Sequence, residues 1–204
     1  MLTARPKRNI AVLVSGGGTN LQALIDAQTA GRLSAGRIAV VVSDTPKAYA
    51  LERAEKAGIE GVTVSKKDYA TKIEFEQELN QILESRGTDL IVLAGFLSIL
   101  SADFVAKYPR KIINVHPSLI PSFCGKGFYG LKVHEAALAK GVKISGATVH
   151  FVNEIPDGGE IILQKAVDVL DDDTPQSLQE RIMREAEWQL LWQAAEKVCR
   201  EMND

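Results

Sequence analysis

The sequence predicts an α/β fold built on a mostly parallel, doubly wound sheet with helices on both faces. Through the first half of the chain, short runs of apolar residues alternate with longer segments of helical periodicity. This alternation is typical of parallel sheets whose strands are buried on both faces. A glycine-rich turn follows the first apolar run, as in Rossmann-like sheets. Beyond Gly141, two strand-like runs follow one another without a helix and precede a long final helix. Antiparallel strands are therefore expected near the C-terminal part.

The composition narrows the class of protein. Hydrophobic residues make up 46% of the chain and charged residues 25%, the balance of a soluble globular protein rather than a disordered one. The formal net charge of −2 argues against broad electrostatic binding to nucleic acid or to anionic membranes. We therefore expect small molecules as partners, with no nucleic acid and no membrane, and the protein to be a monomer or a homodimer.

The start of the chain and its cysteines predict a cytoplasmic protein. The start is basic, but the apolar run that follows covers only residues 10–14, too short for a secretory leader or a membrane span. Cys124 and Cys199 lie far apart in the sequence and form no metal-type pair. Two free thiols in a reducing compartment are therefore expected.

The first half of the chain predicts strands and helices in alternation. The apolar runs that predict strands cover residues 9–14, 37–43, 61–64 and 89–94. The segments with helical periodicity cover residues 21–30, 46–57 and 69–86, and each is followed at once by a glycine, which commonly ends helices. An apolar turn over 95–100 continues the fourth strand, and Ser101 is expected to cap a short helix that runs through Lys107.

The second half is organised differently. An apolar run over 111–115 predicts a strand that ends at His116, and a loop with several glycines covers 117–130. The remaining elements are expected as a helix over 131–140, strands over 143–151 and 160–169, an acidic turn at 171–173 that is read as solvated, and a last helix over 175–202. The connection between the two strands is longer than a tight hairpin needs, which favours a working loop.

The turn after the first strand, SGGGTN over 15–20, has the features of an anion site. Glycines let the backbone approach a ligand closely, and the following helix begins with free N–H groups and the positive end of its dipole. The dinucleotide fingerprint is not met because Leu21 stands where its third glycine belongs, and no Walker sequence follows. The turn therefore predicts a phosphate monoester rather than a dinucleotide. A tight strand-to-helix turn without a ligand is the alternative.

Asn114 and His116 form the second candidate feature. Alternation along the strand places both side chains on one face, with Val115 on the other. An amide and an imidazole at a strand end, before a loop, are a candidate reaction site; the alternative is that His116 only caps the strand and bonds a carbonyl. Ligands of parallel sheets bind beyond the carboxyl ends of the strands. The segments 15–20, 95–100 and 116 onward can therefore share one crevice.

Five segments of the sequence together resemble the folate-dependent formyltransferases: SGGGTNLQALID, VLAGFLSILS, INVHPSLIPSF, GATVHFV and PDGGEIILQ. The similarity extends from about Ile10 to the last helix, in order and at family-like spacing. The resemblance implies the formyltransferase fold and transfer of the formyl group of 10-formyltetrahydrofolate to a primary amine. The SGGGTN start points to 5-phosphoribosylglycinamide as the acceptor, in purine biosynthesis. No metal is required, and the three histidines have no metal-ligand spacing.

The resemblance implies a single domain over residues 1–204. Its phosphate-binding α/β half covers about 1–110, and its catalytic and folate-binding half covers about 111–204. Related enzymes with an additional terminal domain are not expected to fit a chain of this length.

The resemblance also assigns roles to residues. Asn114 and a protonated His116 would donate hydrogen bonds to the tetrahedral oxyanion, while Asp157 would support the imidazolium and order a relaying water. The residues expected to bind the phosphoribosyl substrate are Gly17, Gly18, Thr19, Asn20 and Glu187. Those expected to bind the folate are Lys72, Leu97, Ser98, Ile99, Leu100, Asn114, Val152 and Ile155. Glu187 and Lys72 could instead be ordinary solvated helix residues.

The sequence departs from the family pattern in several places. Ser98 stands where well-known relatives have arginine, Arg184 stands where some have glutamine, and one residue is inserted just before Glu187. The loop over 124–130 differs from the histidine-containing version of some members. We read His134 as structural, and a supporting role for His150 is left open. None of these departures affects the three expected catalytic residues.

Two alternative functions keep most of these observations. A formyltransferase acting on another amine, such as an amino-sugar nucleotide, would keep the catalytic residues but alter the glycine turn. A nucleotide-binding module without chemistry would bind its ligand regardless of His116.

Overall fold

The computed structural model describes residues 6–203, which form a seven-stranded sheet in the order β3-β2-β1-β4-β5-β6-β7. The strands are β1 Arg8–Val14, β2 Gly36–Ser43, β3 Glu60–Thr63, β4 Leu90–Leu93, β5 Ile112–His116, β6 Ile144–Phe151 and β7 Ile161–Asp168. Strands β1 to β5 pair in parallel, whereas β6 is antiparallel to both β5 and β7. The predicted fold class is confirmed. Residues 1–5, which include Arg5 of the basic start, and residue 204 lie outside the described residues.

Helices cover both faces of this sheet. They are α1 Thr19–Thr29, α2 Tyr49–Lys56, α3 Lys72–Ser85, α4 Ala102–Ala106, α5 Leu131–Lys140, α6 Pro175–Ile182 and α7 Trp188–Glu201. One core packs α1, α6 and α7 against the sheet, and the other packs α3 and α4 against its opposite face. Neighbouring residues of β1 enter different cores, Val12 the first and Leu13 the second. A strand buried on both faces reads as a continuous apolar run for this reason.

The strand order creates a crevice beside β1. The chain builds outward from β1 through β2 to β3, then returns to the other side of β1 to add β4 and β5. Connections on the two sides of such a switch point diverge, which leaves room for a ligand beyond the carboxyl ends of the strands. The glycine turn after β1 and the segment over 95–100 after β4 lie at this place.

Local capping decides how well helix boundaries are predicted. Helix α5 has the predicted bounds because Gly141 ends it in the left-handed conformation, with φ 74°. The predicted start of α3 at residue 69 is wrong by three residues, because the Thr71 side chain accepts the Glu74 N–H and caps the helix. Helix α2 also begins three residues late, after a turn in which the Ala48 N–H donates to the Thr45 carbonyl.

The long C-terminal helix is confirmed, but its interior is not regular. A π-helical turn, Met183–Glu187, separates α6 from α7. Buried side chains recur at every fourth position here: Leu178, Ile182, Ala186, Leu190, Ala194 and Val198. An α-helix would rotate such a series by about 40° at each step. The wider π turn absorbs part of that rotation and keeps both helices packed on one core.

The acidic turn before α6 is not fully solvated as predicted. The Asp173 carboxylate is buried and accepts hydrogen bonds from both terminal nitrogens of Arg181, at 2.6 and 2.5 Å. The Ser177 hydroxyl and the Leu170 N–H also donate to it. These bonds, that of Arg181 first, hold the pKa of Asp173 far below its ordinary value. Asp173 therefore closes the start of α6 as a structural ion pair.

Within residues 6–203, no helix combines the length and the apolar content needed to cross a lipid bilayer.

Candidate active site

The three segments predicted to share a crevice lie together at the carboxyl edge of the sheet. The Ser15 N–H donates to the Gly95 carbonyl at 3.2 Å, which joins the glycine turn to the segment after β4. A cleft of about 150 Å³ lies between the segments 96–100 and 152–157, with Asn114 and His150 at its base. The β6–β7 connection therefore forms one wall of the site, in agreement with its unusual length.

The structure brings the three expected catalytic residues together. Asn114 and His116 lie on the same face of β5, where they pair with His150 and Thr148 of β6. The Asp157 carboxylate reaches this face from the β6–β7 connection. Its Oδ2 lies 3.5 Å from Nδ1 of His116, and its Oδ1 lies 3.5 Å from Nε2 of His150. Asp157 is thus placed between two buried histidines.

The backbone around Asp157 explains the Pro-Asp-Gly-Gly sequence. Asp157 itself has φ 56°, in the left-handed region that a non-glycine residue rarely adopts. A Cβ at Gly159 would lie 1.7 Å from the Phe151 carbonyl oxygen, so only glycine fits there. The Gly125 N–H donates to Asp157 Oδ2 at 2.8 Å, which ties this connection to the loop after β5.

The charge state of Asp157 follows from these contacts. Burial raises the pKa of the carboxyl, but contact with His150, the charge of His116 and the Gly125 N–H all lower it. The net result is a pKa below the ordinary value, so Asp157 is a carboxylate at neutral pH. It can accept hydrogen bonds from both imidazoles but has no proton to donate.

Both ring nitrogens of His116 face oxygen acceptors. Nε2 lies 2.9 Å from the Phe123 carbonyl oxygen, which can only accept, and Nδ1 faces Asp157. Only the doubly protonated imidazolium offers a proton to each acceptor. The contact with Phe123 is the carbonyl bond that the sequence allowed as an alternative, and it coexists with the carboxylate contact. Phe123, like Asp157, has a positive φ, of 51°.

His150 is the site residue whose place the sequence left open. Its Nδ1 lies 2.8 Å from the Phe151 carbonyl and its Nε2 lies 3.3 Å from Asn114 Nδ2. It therefore contacts both Asn114 and Asp157. The direct pairing of His150 with Asn114 across β5 and β6 would have indicated this position, but only once the strand register was known.

His134 lies behind the site and has a different character. Its side chain is fully buried, and neither ring nitrogen has a hydrogen-bond partner among the described residues. Burial, and then the charge of His116, lower the pKa of His134 to about 4. The imidazole is therefore neutral at physiological pH, in keeping with a structural role.

The glycine turn presents its backbone to solvent. Gly18 precedes α1 with φ 71°, and a Cβ there would lie 2.6 Å from Cβ of Ala50. The position therefore requires glycine both for its backbone conformation and for lack of space. The first N–H groups of α1 have no partner within the helix. Gly17 is exposed, and its carbonyl accepts a hydrogen bond from Arg53 Nε at 2.8 Å. The turn can therefore bind an anion with backbone N–H groups.

Asn20 and Glu187 meet directly beside this turn. Asn20 Nδ2 donates to Glu187 Oε2 at 2.7 Å, while Asn20 Oδ1 has no partner among the described residues. Glu187 is 6% exposed, so the alternative of a solvated helix glutamate is wrong. Burial raises the pKa of Glu187 to about 7, against the opposing effect of the Asn20 hydrogen bond. The π-helical turn places this carboxyl on the face that packs against α1, where an inserted residue was inferred.

The cleft wall exposes apolar side chains in an unusual concentration. Leu97, Ile99 and Ile155 are 69%, 68% and 58% exposed, and Leu100 and Val152 also line the cleft. Exposed aliphatic side chains around a concave surface are typical of a site for a flat organic ligand. Two of the predicted folate contacts have additional bonds. Ser98 donates to Asp44 Oδ2 at 2.5 Å, and Lys72 lies 3.7 Å from Glu76, so Lys72 is not simply solvated.

No group of three or more His, Cys, Asp or Glu side chains within residues 6–203 has an arrangement that could hold a metal ion.

Comparisons with known proteins agree with this geometry. A family profile described as formyl transferase matches residues 8–195. The chain is 40% identical over 183 residues to the phosphoribosylglycinamide formyltransferase of Haemophilus influenzae, covering 90% of this chain and 83% of that protein. The structure of glycinamide ribonucleotide transformylase 1 from Symbiobacterium toebii superimposes with a TM-score of 0.89 at 40% identity, covering 96% of this chain and 89% of that one.

The chain also matches part of a larger class of proteins. It is 44% identical over 178 residues to the trifunctional purine biosynthetic protein adenosine-3 of Homo sapiens, which is 87% of this chain. The match spans between 13% and 17% of the length of the trifunctional relatives from human, cattle, chicken and two insects.

Proposed function

Because the chain belongs to the formyl transferase family, we propose that it transfers the formyl group of 10-formyltetrahydrofolate to the primary amine of 5-phosphoribosylglycinamide. The products are the N-formyl amide and tetrahydrofolate, in the biosynthesis of purines. The observation that carries the proposal is Asp157 between His116 and His150 at the base of an apolar cleft, beside a glycine turn built for an anion.

The glycine turn binds the phosphate of the acceptor substrate. Gly17, Gly18 and Thr19 supply backbone N–H groups, and the positive end of the α1 dipole favours the anion. Asn20 and Glu187 lie immediately beside this position and offer two buried oxygen acceptors. Ribose hydroxyls can donate hydrogen bonds to these oxygens. With its phosphate and ribose held, the substrate places its amine at the end of β5.

The apolar cleft binds the folate. Leu97, Ile99 and Ile155 contact the flat pteridine, and the backbone of the segments 96–100 and 152–157 supplies hydrogen bonds to its polar edge. Ser98 contributes through its backbone, since its hydroxyl is bonded to Asp44. Lys72 lies near the end of this wall, where its ammonium group can attract the glutamate end of the folate.

The reaction has two steps, and side chains at the cleft base assist both. The first step forms the tetrahedral intermediate. The amine nitrogen forms a bond to the formyl carbon, and the electron pair of the carbonyl moves to its oxygen. Asn114 Nδ2 and His116 Nε2 donate to this oxyanion. His116 must release the Phe123 carbonyl to do so, and the strained backbone of Phe123 favours that exchange.

The second step breaks the bond between the formyl carbon and N10 of the folate. The electron pair returns from oxygen to carbon, N10 leaves and gains a proton, and the former amine nitrogen loses one. Asp157 holds the imidazolium and orders the water that carries this proton. The proton lost by the amine nitrogen balances the one gained by N10, so the residues only relay a proton between the two nitrogens.

The proposal includes a cytoplasmic location, supported by two unpaired cysteines. A monomer or a homodimer fits it equally well, because every residue named above belongs to one chain.

A transfer assay with both substrates tests the proposal. Asn114→Ala, His116→Ala and Asp157→Asn are each expected to lower kcat by about 10²- to 10⁴-fold, because each removes an oxyanion donor or the support of one. Asp171→Asn makes the same chemical change at an exposed carboxylate that pairs with Lys143, and it should leave kcat unchanged.

The assay also separates the alternative functions. A folded wild type with no activity on 5-phosphoribosylglycinamide, but with activity on an amino-sugar nucleotide, would show that the acceptor is another amine. Binding of nucleotide with no transfer to either acceptor, and no effect of His116→Ala, would show a module without chemistry.

A further inference from the structure

We propose that Ser15 is a positioning residue that couples the two substrate subsites, so that a ligand at the glycine turn strengthens binding in the apolar cleft and the reverse. The proposal rests on the function proposed above and assigns to Ser15 the cooperation between the two substrates. Neither substrate contacts the Ser15 hydroxyl in this proposal.

Ser15 is bonded to the cleft wall through both its backbone and its side chain. Its N–H donates to the Gly95 carbonyl at 3.2 Å, and its Oγ accepts the Leu97 N–H at 2.8 Å. Ser15 directly precedes the glycines that form the anion site. Among the described residues, all hydrogen bonds between the turn 15–20 and the wall 95–100 involve Ser15.

The wall itself depends on bonds of this kind for its shape. The segment 95–100 belongs to no helix or strand, yet it presents the exposed Leu97 and Ile99 to the cleft. Three further bonds hold its end, one from Ser98 to Asp44 and two from the N–H and the hydroxyl of Ser101, the next residue, to Glu76. Glu76 belongs to α3, whereas Asp44 follows β2 and donates its N–H to the Val14 carbonyl at the end of β1; none of these bonds reaches residues 15–20. Within the turn, Ser15 is therefore the residue whose hydrogen bonds connect it to the wall.

A ligand at the turn must change the freedom of Ser15. An anion that bonds to the N–H groups of Gly17, Gly18 and Thr19 orders the chain that begins at Ser15. The Leu97 N–H follows its acceptor, so the wall loses mobility before the second ligand arrives. The second ligand then loses less conformational entropy on binding. Linkage makes the effect reciprocal, so the first ligand must bind more tightly by the same factor.

The coupling can be measured without turnover by pairing 5-phosphoribosylglycinamide with tetrahydrofolate, which has no formyl group to transfer. Calorimetry gives Kd for each ligand alone and in the presence of the other at saturation. In the wild type each ligand should improve the affinity of the other by about fivefold or more. Ser15→Ala keeps the backbone bond to Gly95 but removes the acceptor of the Leu97 N–H. It should reduce the coupling to less than about twofold, with each single Kd changed far less than the coupling.

Two matched variants control this measurement. Ser15→Thr retains a hydroxyl and should restore the coupling. Ser85→Ala removes a hydroxyl that donates to the Ile82 carbonyl at the exposed end of α3, and it should leave the coupling at the wild-type value. Loss of coupling in Ser85→Ala as well would indicate a general loosening of the fold and would overturn the role of Ser15.

A second measurement needs no variant. The Leu97 amide signal in an NMR spectrum should shift when 5-phosphoribosylglycinamide alone is added, because its acceptor lies at the occupied turn. An unchanged Leu97 signal, or equal coupling in wild type and Ser15→Ala, overturns the inference. Failure of both ligands to bind the folded wild type contradicts the proposed function instead, so the two failures are distinguishable.

Discussion

The glycine turn after β1 and the cluster of Asn114, His116, His150 and Asp157 lie at one edge of one sheet, but they are built in different ways. The turn comes from six consecutive residues and works through its backbone. The cluster draws on two strands and a distant loop, and works through side chains. A feature built from consecutive residues is specified locally, whereas the cluster exists only when strand register and loop conformation are both correct.

The two regions also differ in how they treat charge. The turn offers neutral N–H groups and the end of a helix dipole, so its attraction for an anion changes little with pH. The cluster and the residue behind it contain titratable side chains instead: burial and the contacts of each group shift the pKa values of His134 and Asp157, and burial raises the pKa of Glu187 beside the turn. Variants in the turn should therefore act through shape, and variants around the cluster should act through protonation.

Gly18→Ala should produce the largest effect by shape. The new Cβ would lie 2.6 Å from Cβ of Ala50, in a backbone with φ 71°. We expect unfolding to become easier by about 2 kcal/mol, from left-handed strain and overpacking together, and KM for the phosphate substrate to rise at least tenfold. Gly16→Ala is the matched control, since a Cβ there meets nothing within 4 Å. Denaturant titrations that place both variants at equal stability would show that the turn tolerates side chains.

The same contrast explains what could be predicted from the sequence. Strands β1 to β5, the glycine turn and the bounds of α5 follow from short apolar runs and caps that lie within a few residues of the element they define. The facing of Asn114 and His116 follows from strand alternation alone. These features needed no knowledge of distant contacts.

Features that depend on distant partners could not be predicted in the same way. The contact of His150 with Asn114 requires the antiparallel register of β5 and β6. The burial of Asp173 requires Arg181, which lies eight residues later on α6. The π-helical turn was indicated only indirectly, by buried residues at every fourth position and by the residue inserted before Glu187. Each of these is a feature that the local sequence permits but does not specify.

The next prediction concerns the protonation of His134 and its effect on stability. Its pKa is about 4 in the folded protein, below its ordinary value of 6.5, so the unfolded chain binds a proton first as the pH falls. Stability is therefore fully present above about pH 6.5 and falls between there and pH 4, by on the order of 2 kcal/mol. In His134→Leu this slope should be smaller, as thermal unfolding at a series of pH values would show. Parallel curves for the two proteins would mean that other groups cause the acid sensitivity.

Glu187→Gln should have the smallest effect on stability, and it acts in the opposite direction with pH. The pKa of Glu187 is about 7 in the folded protein, above its ordinary value of 4.5. Its contribution is present below about pH 4.5 and is lost as the pH rises through 7, because the unfolded chain gives up the proton first. The neutral amide has no such loss and can still accept from Asn20. At pH 8 the variant should therefore be more stable than wild type by about 1 kcal/mol.

The same variant should bind the phosphate substrate more weakly at pH 8, because a carboxylate accepts hydroxyl donors more strongly than an amide does. Relative to wild type, the variant should therefore lose affinity and gain stability as the pH rises from 5 to 8. Calorimetry and denaturant titration of both proteins over this range would show the two opposite trends. If Glu187→Gln lost affinity equally at every pH, the weaker binding would come from a displaced side chain. Glu187 would then belong with Gly18 among residues that act through shape.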